Sequence, residues 1–417
     1  MLASVLLSAL AASLVTAAPS ALEVSSSALL TVANGSTSTP FISAAWYPGW
    51  GATNTSLSSL NWEKYSLLYW AFAVTTSDPS KLDLSASGPS YISSFVQQAH
   101  NHGTMASITV GGWTGSTFFS SAVTPQNRTM FVQAVVDVVN QYGFDGVDFD
   151  WEYPAASGIG CNLMSSSDTQ NFLAFLQQLR QDPTGKNLYI SAAVSPTTFV
   201  GSDGTPMTNL SDFAAVLDHI NIMNYDINGQ WTTSGVGPNA PLADSCSTLQ
   251  TGSATDAVKA WMAAGIPANQ IVLGVPSYGH SFNVTSANAL DTSGNLVNHP
   301  PFTKAPLTTT LDQCGNAEPT VDTIEFAVMI SQGFLNSDGT PANGMTYQFD
   351  NCSQTPFIYN PTTQLMVSYD DPQSFTAKGQ FIASNDLLGF AMWDATGDYM
   401  DLLVDAISTG AGVTSDC

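Results

Sequence analysis

Short apolar runs bounded by polar or turn residues recur along the chain. They lie at Ile42–Trp46, Leu67–Phe72, Met105–Val110, Gly146–Asp150, Leu188–Val194, Ile220–Met223, Ile271–Val275 and Leu388–Trp393. Runs of this length and composition read as buried strands. Amphipathic stretches separate them. One covers Gln126–Tyr142, with Thr124 expected as its cap and Pro125 at its first position; another covers Thr169–Arg180; a third opens at Asp371-Pro372 and runs toward Ser384. Eight strands alternating with helices predict an α/β fold, a (β/α)8 TIM barrel, whose reactive groups stand at the C-terminal ends of the strands. The alternation breaks once. Residues 280–369 carry alternating and turn-rich segments, around Glu318-Pro319 and over Gln348–Tyr359, in place of one helix. That is too long for a βα loop. It predicts a small α+β subdomain inserted at 282–364, between the seventh strand and the last helix-strand pair, with 41–281 and 365–417 forming the barrel.

The N-terminus adds a processing signal. Leu6–Val15 is apolar and Val15-Thr16-Ala17-Ala18 offers small residues for cleavage, although no Lys or Arg precedes the run. Residues 1–18 therefore read as a secretory signal, and the Ser-rich stretch 19–40 as a loosely ordered linker. Six Asn-x-Ser/Thr sequons, at Asn34, Asn54, Asn127, Asn209, Asn283 and Asn351, fit a secreted glycoprotein. No later run is long enough to span a membrane. A formal charge of −24 with only eight Lys and Arg argues against nucleic acid and anionic membrane surfaces as partners. Five cysteines permit two disulfides. Cys314 with Cys352 would staple a local unit and Cys161 with Cys246 would join two loops; the spacing leaves the pairing open. They lack metal-ligand spacing and read as structural.

The segment Asp145-Gly146-Val147-Asp148-Phe149-Asp150-Trp151-Glu152 narrows the chemistry. Asp148, Asp150 and Glu152 fall two residues apart, and in a strand that spacing puts all three carboxyls on one face. Three acids so placed repel, and at neutral pH at least one should hold a proton. The intervening Val147, Phe149 and Trp151 turn the acid face toward a lumen or cleft. Asp145 has the opposite parity, so it is expected to face away and make a supporting hydrogen bond.

Three further motifs fall at strand ends: Thr109-Val110-Gly111-Gly112-Trp113, Met223-Asn224-Tyr225-Asp226 and Gly274-Val275-Pro276-Ser277-Tyr278-Gly279. Met392-Trp393 closes the eighth strand. Together with the acid segment, which fits D-x-x-D-x-D-x-E without a gap, they make the chain resemble the glycoside hydrolase family 18 chitinases over nearly its whole mature length. Thr109 stands in the position of the family's Ser and keeps a hydroxyl for the inner Asp. His280 stands where many members carry Arg, so contacts at the base of the insertion are expected to differ; His280 itself reads as an ordinary polar loop residue.

The resemblance implies substrate-assisted, retaining hydrolysis of β-1,4-linked N-acetylglucosamine. Glu152 would be the acid, its pKa raised by neighbouring charge. Asp150 would orient the sugar's acetamido group, and Asp148 would share a proton with it. Tyr225 would donate a hydroxyl to the same group. Trp393 would floor the site, with Asp226, Met223, Trp113, Tyr153 and Trp231 contacting sugar; Thr109, Gly111, Gly112 and Asp145 would give structural support. No metal or cofactor is implied. The expected partners are chitin or its oligosaccharides, bound by a monomer. Trp62, Trp70 and Trp261 are assigned to packing, and parity leaves open which of Trp46 and Tyr47 points inward. Two alternatives stand beside a secreted chitinase: an endo-β-N-acetylglucosaminidase on N-glycans, and a non-catalytic chitin-binding lectin.

Overall fold

The computed structural model describes residues 30–34, 37–53, 56–320 and 322–413. The expected signal at 1–18, the sequon at Asn54 and Cys417 lie outside them. Eight parallel strands form the centre: β1 (Thr37–Pro48), β2 (Leu67–Thr75), β3 (Met105–Gly111), β4 (Gly146–Asp150), β5 (Tyr189–Val194), β6 (His219–Ile222), β7 (Ile271–Pro276) and β8 (Gly389–Trp393). Each pairs with its sequence neighbour, and β8 pairs with β1 to close the barrel. The sequence placed all eight within a few residues. β3 is buried at every position, as a parallel strand covered on both faces must be.

The outer layer contains α1 (Ile92–Asn101), α2 (Arg128–Tyr142), α3 (Asp168–Gln181), α4 (Ala254–Ala263), α5 (Pro372–Ser384) and α6 (Leu402–Gly410). Between β5 and β6 stands only a single turn, Ser211–Ala214. α5 begins as its sequence predicts, because Asp371 accepts from the Ser374 N–H while the Ser374 hydroxyl accepts from the Asp371 N–H. α2 begins later than expected. The Thr124 carbonyl accepts from the N–H groups of Asn127 and Arg128, so Thr124 and Pro125 form a preceding turn and not the first helical turn. Gly143, at φ 77°, ends this helix in the left-handed conformation.

Part of the expected N-terminal linker is paired. Leu30–Asn34 runs antiparallel to the first half of β1, Leu30 opposite Phe41 and Asn34 opposite Thr37. The insertion is built on a five-stranded antiparallel sheet, in the order Thr323–Glu325, Tyr278–Asn283, Leu365–Ser368, Thr355–Asn360, Thr346–Asp350. His280 pairs with Ser368 and Ser281 with Val367, so this sheet extends past both ends of 282–364. A separate hairpin, Leu307–Leu311 with Ala317–Pro319, projects from the subdomain.

The disulfides differ from the expected pairs. Cys161 bonds Cys314, with Cα atoms 5.4 Å apart, and Cys246 bonds Cys352, at 5.7 Å. Each joins a barrel loop to the insertion, so neither staples the subdomain to itself. Trp62, Trp70 and Trp261 are buried in the layer between strands and helices. Trp46 points into the lumen with Tyr69, while Tyr47 packs outward on Trp70 and Phe95. Among the described residues no helix is long and apolar enough to cross a membrane.

Candidate active site

β4 carries the acids into the barrel interior. Asp148 is 0% exposed, Asp150 6% and Glu152 9%, which excludes a strand with its acids in water. Phe149 and Trp151 point the other way; Trp151 stacks on Phe119 at 5.0 Å. Asp145, of opposite parity, accepts from the Ala106 N–H at 2.8 Å and lies 2.9 Å from His100 Nε2. It braces the strand start.

Asp148 is surrounded by donors. Its Oδ1 accepts from the Ser191 hydroxyl at 2.6 Å and Asn221 Nδ2 at 3.3 Å; its Oδ2 accepts from the Thr109 hydroxyl at 3.0 Å and Trp46 Nε1 at 3.3 Å. Burial pushes its pKa up to about 6, and these four donors hold it from rising further. Deeper still, His219 sits between the Tyr69 and Tyr189 hydroxyls, each 2.9 Å from a ring nitrogen. Burial pushes its pKa down to about 3, which keeps the ring neutral.

Asp150 is the opposite case. Its Oδ1 is buried with no hydrogen-bond partner among the described residues. Burial first, then the charges of Glu152 and Asp148, raise its pKa well above the ordinary carboxylate range. No hydrogen bond links it to Asp148 among the described residues. Asp148 thus has four donors to satisfy it as an anion, whereas no described residue donates to Asp150 Oδ1.

Glu152 is held through its backbone. The Ser116 hydroxyl accepts from the Glu152 N–H at 3.0 Å and donates to the Asp150 carbonyl at 2.9 Å, and Asn162 Nδ2 donates to the Glu152 carbonyl at 2.9 Å. The Glu152 pKa is pushed up to about 7. Burial is the main cause, a hydrogen bond to Tyr153 opposes it, and the neighbouring charge that adds to it is Asp226. Charge from the strand neighbours was the expected cause; desolvation leads instead, because the residue is largely out of water.

The glycines at the end of β3 are fixed by contact. Gly111 and Gly112 have φ of 112° and 84°; a Cβ on Gly111 would fall 2.1 Å from the Asp150 carbonyl oxygen, and one on Gly112 2.9 Å from the Phe72 ring. Any side chain there would displace β4 or the aromatic floor.

Tyr225, Tyr153, Met223 and Trp393 pack together at the top of the lumen. Burial and the surrounding acids raise the Tyr225 pKa well above its ordinary value, so its hydroxyl keeps its proton. Trp393 stacks on Phe72 at 5.5 Å and meets Trp46 edge-on at 6.1 Å. Trp113 and Trp231 are about half exposed at the mouth. Trp50, absent from the sequence-predicted set, joins them: it is 53% exposed and stacks on Phe72 at 6.0 Å. Its signal was position, two residues beyond β1.

Asp226 has φ 56°, unusual for a non-glycine residue. Its N–H donates to Asn239 Oδ1 at 2.9 Å, and its Oδ1 accepts from the Tyr278 hydroxyl at 2.6 Å. His280, expected in a loop, lies instead in a strand and is 2% exposed. Ser191, Asn221 and Tyr69 were also missed. Their signal was a polar residue at an inward parity of an otherwise apolar strand. Among the described residues, no group of three or more His, Cys, Asp or Glu is arranged to hold a metal ion.

Comparison with known proteins agrees with this arrangement. The model of glycosyl hydrolases family 18 matches residues 43–398. The chain is 46% identical over 384 residues to a chitinase-like effector of Moniliophthora roreri, spanning 89% of this chain and 93% of that one. It is 31% identical over 309 residues to chitinase A1 of Niallia circulans, which covers 70% of this chain and 40% of that protein. A crystal structure of a chitinase from Rhizomucor miehei superposes with TM-score 0.78 at 31% identity, covering 88% of this chain and 99% of the other. A buried acid ladder on the fourth strand of a closed (β/α)8 barrel, matched along almost its full length by the family model, places this chain in glycosyl hydrolases family 18.

Proposed function

We propose that the protein is a secreted chitinase that hydrolyses β-1,4 bonds between N-acetylglucosamine units with retention of anomeric configuration. The observation that carries this reading is the contrast between Asp150 and Glu152. Asp150 Oδ1 is buried without a partner, and Glu152, its neighbour toward the mouth, has a carboxyl pushed up to about 7. An empty acceptor beside a poised acid suits a substrate that brings its own amide.

The chemistry runs in two steps. Glu152 protonates the glycosidic oxygen as the acetamido carbonyl oxygen attacks C1, so the C1–O bond breaks and an oxazolinium ion forms. Asp150 accepts from the acetamido N–H on its unpartnered Oδ1, which orients the acetamido oxygen toward C1 and stabilises the positive charge that develops there. The Tyr225 hydroxyl donates to the acetamido group. Glu152, now a carboxylate, takes a proton from water, which adds to C1 and opens the ring on the same face. Trp393 stacks beneath the reacting sugar, and Trp113, Trp231 and Trp50 offer faces to its neighbours.

A second reading has its own support. Two relatives, 46% and 41% identical, are named chitinase-like effectors, so a chitin-binding role without turnover is the competing account. Retention of Glu152, Asp150 and Asp148 in a buried, pKa-shifted cluster favours turnover. The deciding experiment is product analysis on N-acetylglucosamine oligomers of defined length beside an N-glycoprotein. Cleavage of the oligomers with β-anomer in the first NMR spectra, and none of cellulose oligomers or deacetylated chitosan, is expected. Tight binding without products would establish the effector-like reading. Release of N-glycans in preference to oligomer cleavage would establish the endo-β-N-acetylglucosaminidase, and mainly α-anomer would exclude the retaining route.

A further inference from the structure

His280 lies on the first strand of the insertion with its ring between two carboxylates. Nε2 is 2.8 Å from Asp226 Oδ1 and Nδ1 is 2.7 Å from Asp322 Oδ1. A neutral imidazole donates from one nitrogen and accepts at the other, whereas an ionised carboxylate only accepts. Two such acceptors, one at each nitrogen, require both nitrogens to be protonated. We propose that His280 is a buried imidazolium that positions Asp226 and Trp231 for the sugar and couples them to the inserted subdomain. The proposal deepens the chitinase reading and rests on it for the identity of the ligand.

Three observations converge. Both hydrogen bonds to the Asp226 side chain, from Tyr278 and His280, land on Oδ1; no described residue bonds Oδ2, and the side chain is 50% exposed. His280 thus fixes one oxygen of a carboxylate and leaves the other for a ligand. The His280 ring also meets Trp231 edge-on at 5.1 Å, beneath an indole that is half exposed. Finally, Asp322 belongs to the insertion, and its carbonyl also accepts from the Ser281 N–H at 2.7 Å. The loop that carries Asp226 and Trp231 is also hooked onto the insertion by Gln230, whose Nε2 donates to the Ser281 carbonyl at 2.7 Å and whose Oε1 accepts from the Ala305 N–H at 2.9 Å.

The charges facing this ring are acidic. Asp226 and Asp322 touch it, and Tyr278, Tyr225 and Glu152 lie around Asp226. No Lys or Arg pairs with either Asp among the described residues. The two carboxylates outweigh the cost of burial and push the His280 pKa up to about 9. Unlike a guanidinium, this cation can therefore be removed within an accessible pH range.

Glu152 ionises first and would mask the effect on turnover, so the test measures binding in the Glu152→Gln background. Calorimetry with the N-acetylglucosamine tetramer should give a steady Kd from pH 6 to 8 that weakens as pH passes about 9. Adding His280→Arg should abolish the alkaline loss. Adding His280→Gln should weaken binding roughly ten- to a hundredfold at pH 7 and remove its pH dependence. An unchanged alkaline loss in the Arg variant would overturn the assignment to His280. Long-range proton–nitrogen NMR of the imidazoles checks the charge without substrate, using the signal that His280→Gln deletes. A neutral ring at pH 7.5 would overturn the imidazolium. No tetramer binding by Glu152→Gln at any pH would overturn the link to substrate and trace the failure to the proposed function, since the NMR result stands apart from it.

Discussion

At the residue scale, Glu152 and Asp148 make separable predictions. Glu152→Gln keeps the shape and loses the proton, so turnover should fall by at least about a hundredfold while oligosaccharide binding persists; activity within roughly tenfold of wild type would remove Glu152 from the acid role. The same variant reports on stability. The Glu152 pKa is raised in the fold from 4.5 to about 7. Its contribution is therefore fully present below the unfolded value and is lost as pH rises through about 7. Gln has no proton to lose. The variant should match wild type near pH 4 and exceed it at pH 7.5 by something on the order of 1–3 kcal/mol, read as a higher Tm. A constant difference across that range would contradict the shift. For kcat/KM, the need for protonated Glu152 predicts a decline above about pH 7. Asp148→Asn turns an acceptor into a donor among the hydroxyl, amide and indole donors that surround it, which should cost roughly 1–3 kcal/mol. It should also reshape the pH–rate curve, because the apparent pKa values belong to the cluster. A lowered Tm with an unaltered curve would reduce Asp148 to a structural part.

At the element scale, α5 is held by a buried ion pair. Lys378 Nζ lies 2.5 Å from Asp370 Oδ1, both side chains essentially without solvent exposure. Burial lowers the lysine pKa and raises the aspartate pKa, and their attraction opposes both shifts. Lys378→Met would strand the aspartate and should cost roughly 3–5 kcal/mol, most of which Asp370→Leu in the same chain should restore. Denaturant curves of the single and double variants test this; equal loss in both would mean that the lysine stem, and not its charge, supports α5. Local sequence gave the start of α5 because Asp371, Pro372 and Ser374 act within one turn. It misjudged the start of α2, since Thr124 and Pro125 were already used by a turn anchored to Ser121, whose carbonyl accepts from the Thr124 hydroxyl.

At the scale of the whole molecule, the insertion is fastened to the barrel by both disulfides. Cys161–Cys314 closes a separation of 153 residues and Cys246–Cys352 one of 106. Removing either by Cys→Ser replacement of both partners should cost roughly 2–5 kcal/mol. The Cys161–Cys314 bond has a further effect, because its hairpin reaches across the loop after β3, where Gln313 Nε2 donates to the Thr114 carbonyl at 2.6 Å. Its loss should weaken long oligomers more than dimers in a binding titration. Equal weakening would make the hairpin a brace and not a groove wall. The sequence by itself determined the barrel and the acid ladder with its parity. Each follows from a short period or a local cap, which neighbouring residues set without help from distant ones. Only the tertiary structure decided the cysteine partners, the inward turn of Trp46 over Tyr47, the donors around Asp148, and the seat of His280. His280 meets carboxylates 54 and 42 residues away along the chain. Contacts of that range exist only after the sheet has closed, and no periodicity in the sequence encodes which distant side chains closure brings within 3 Å.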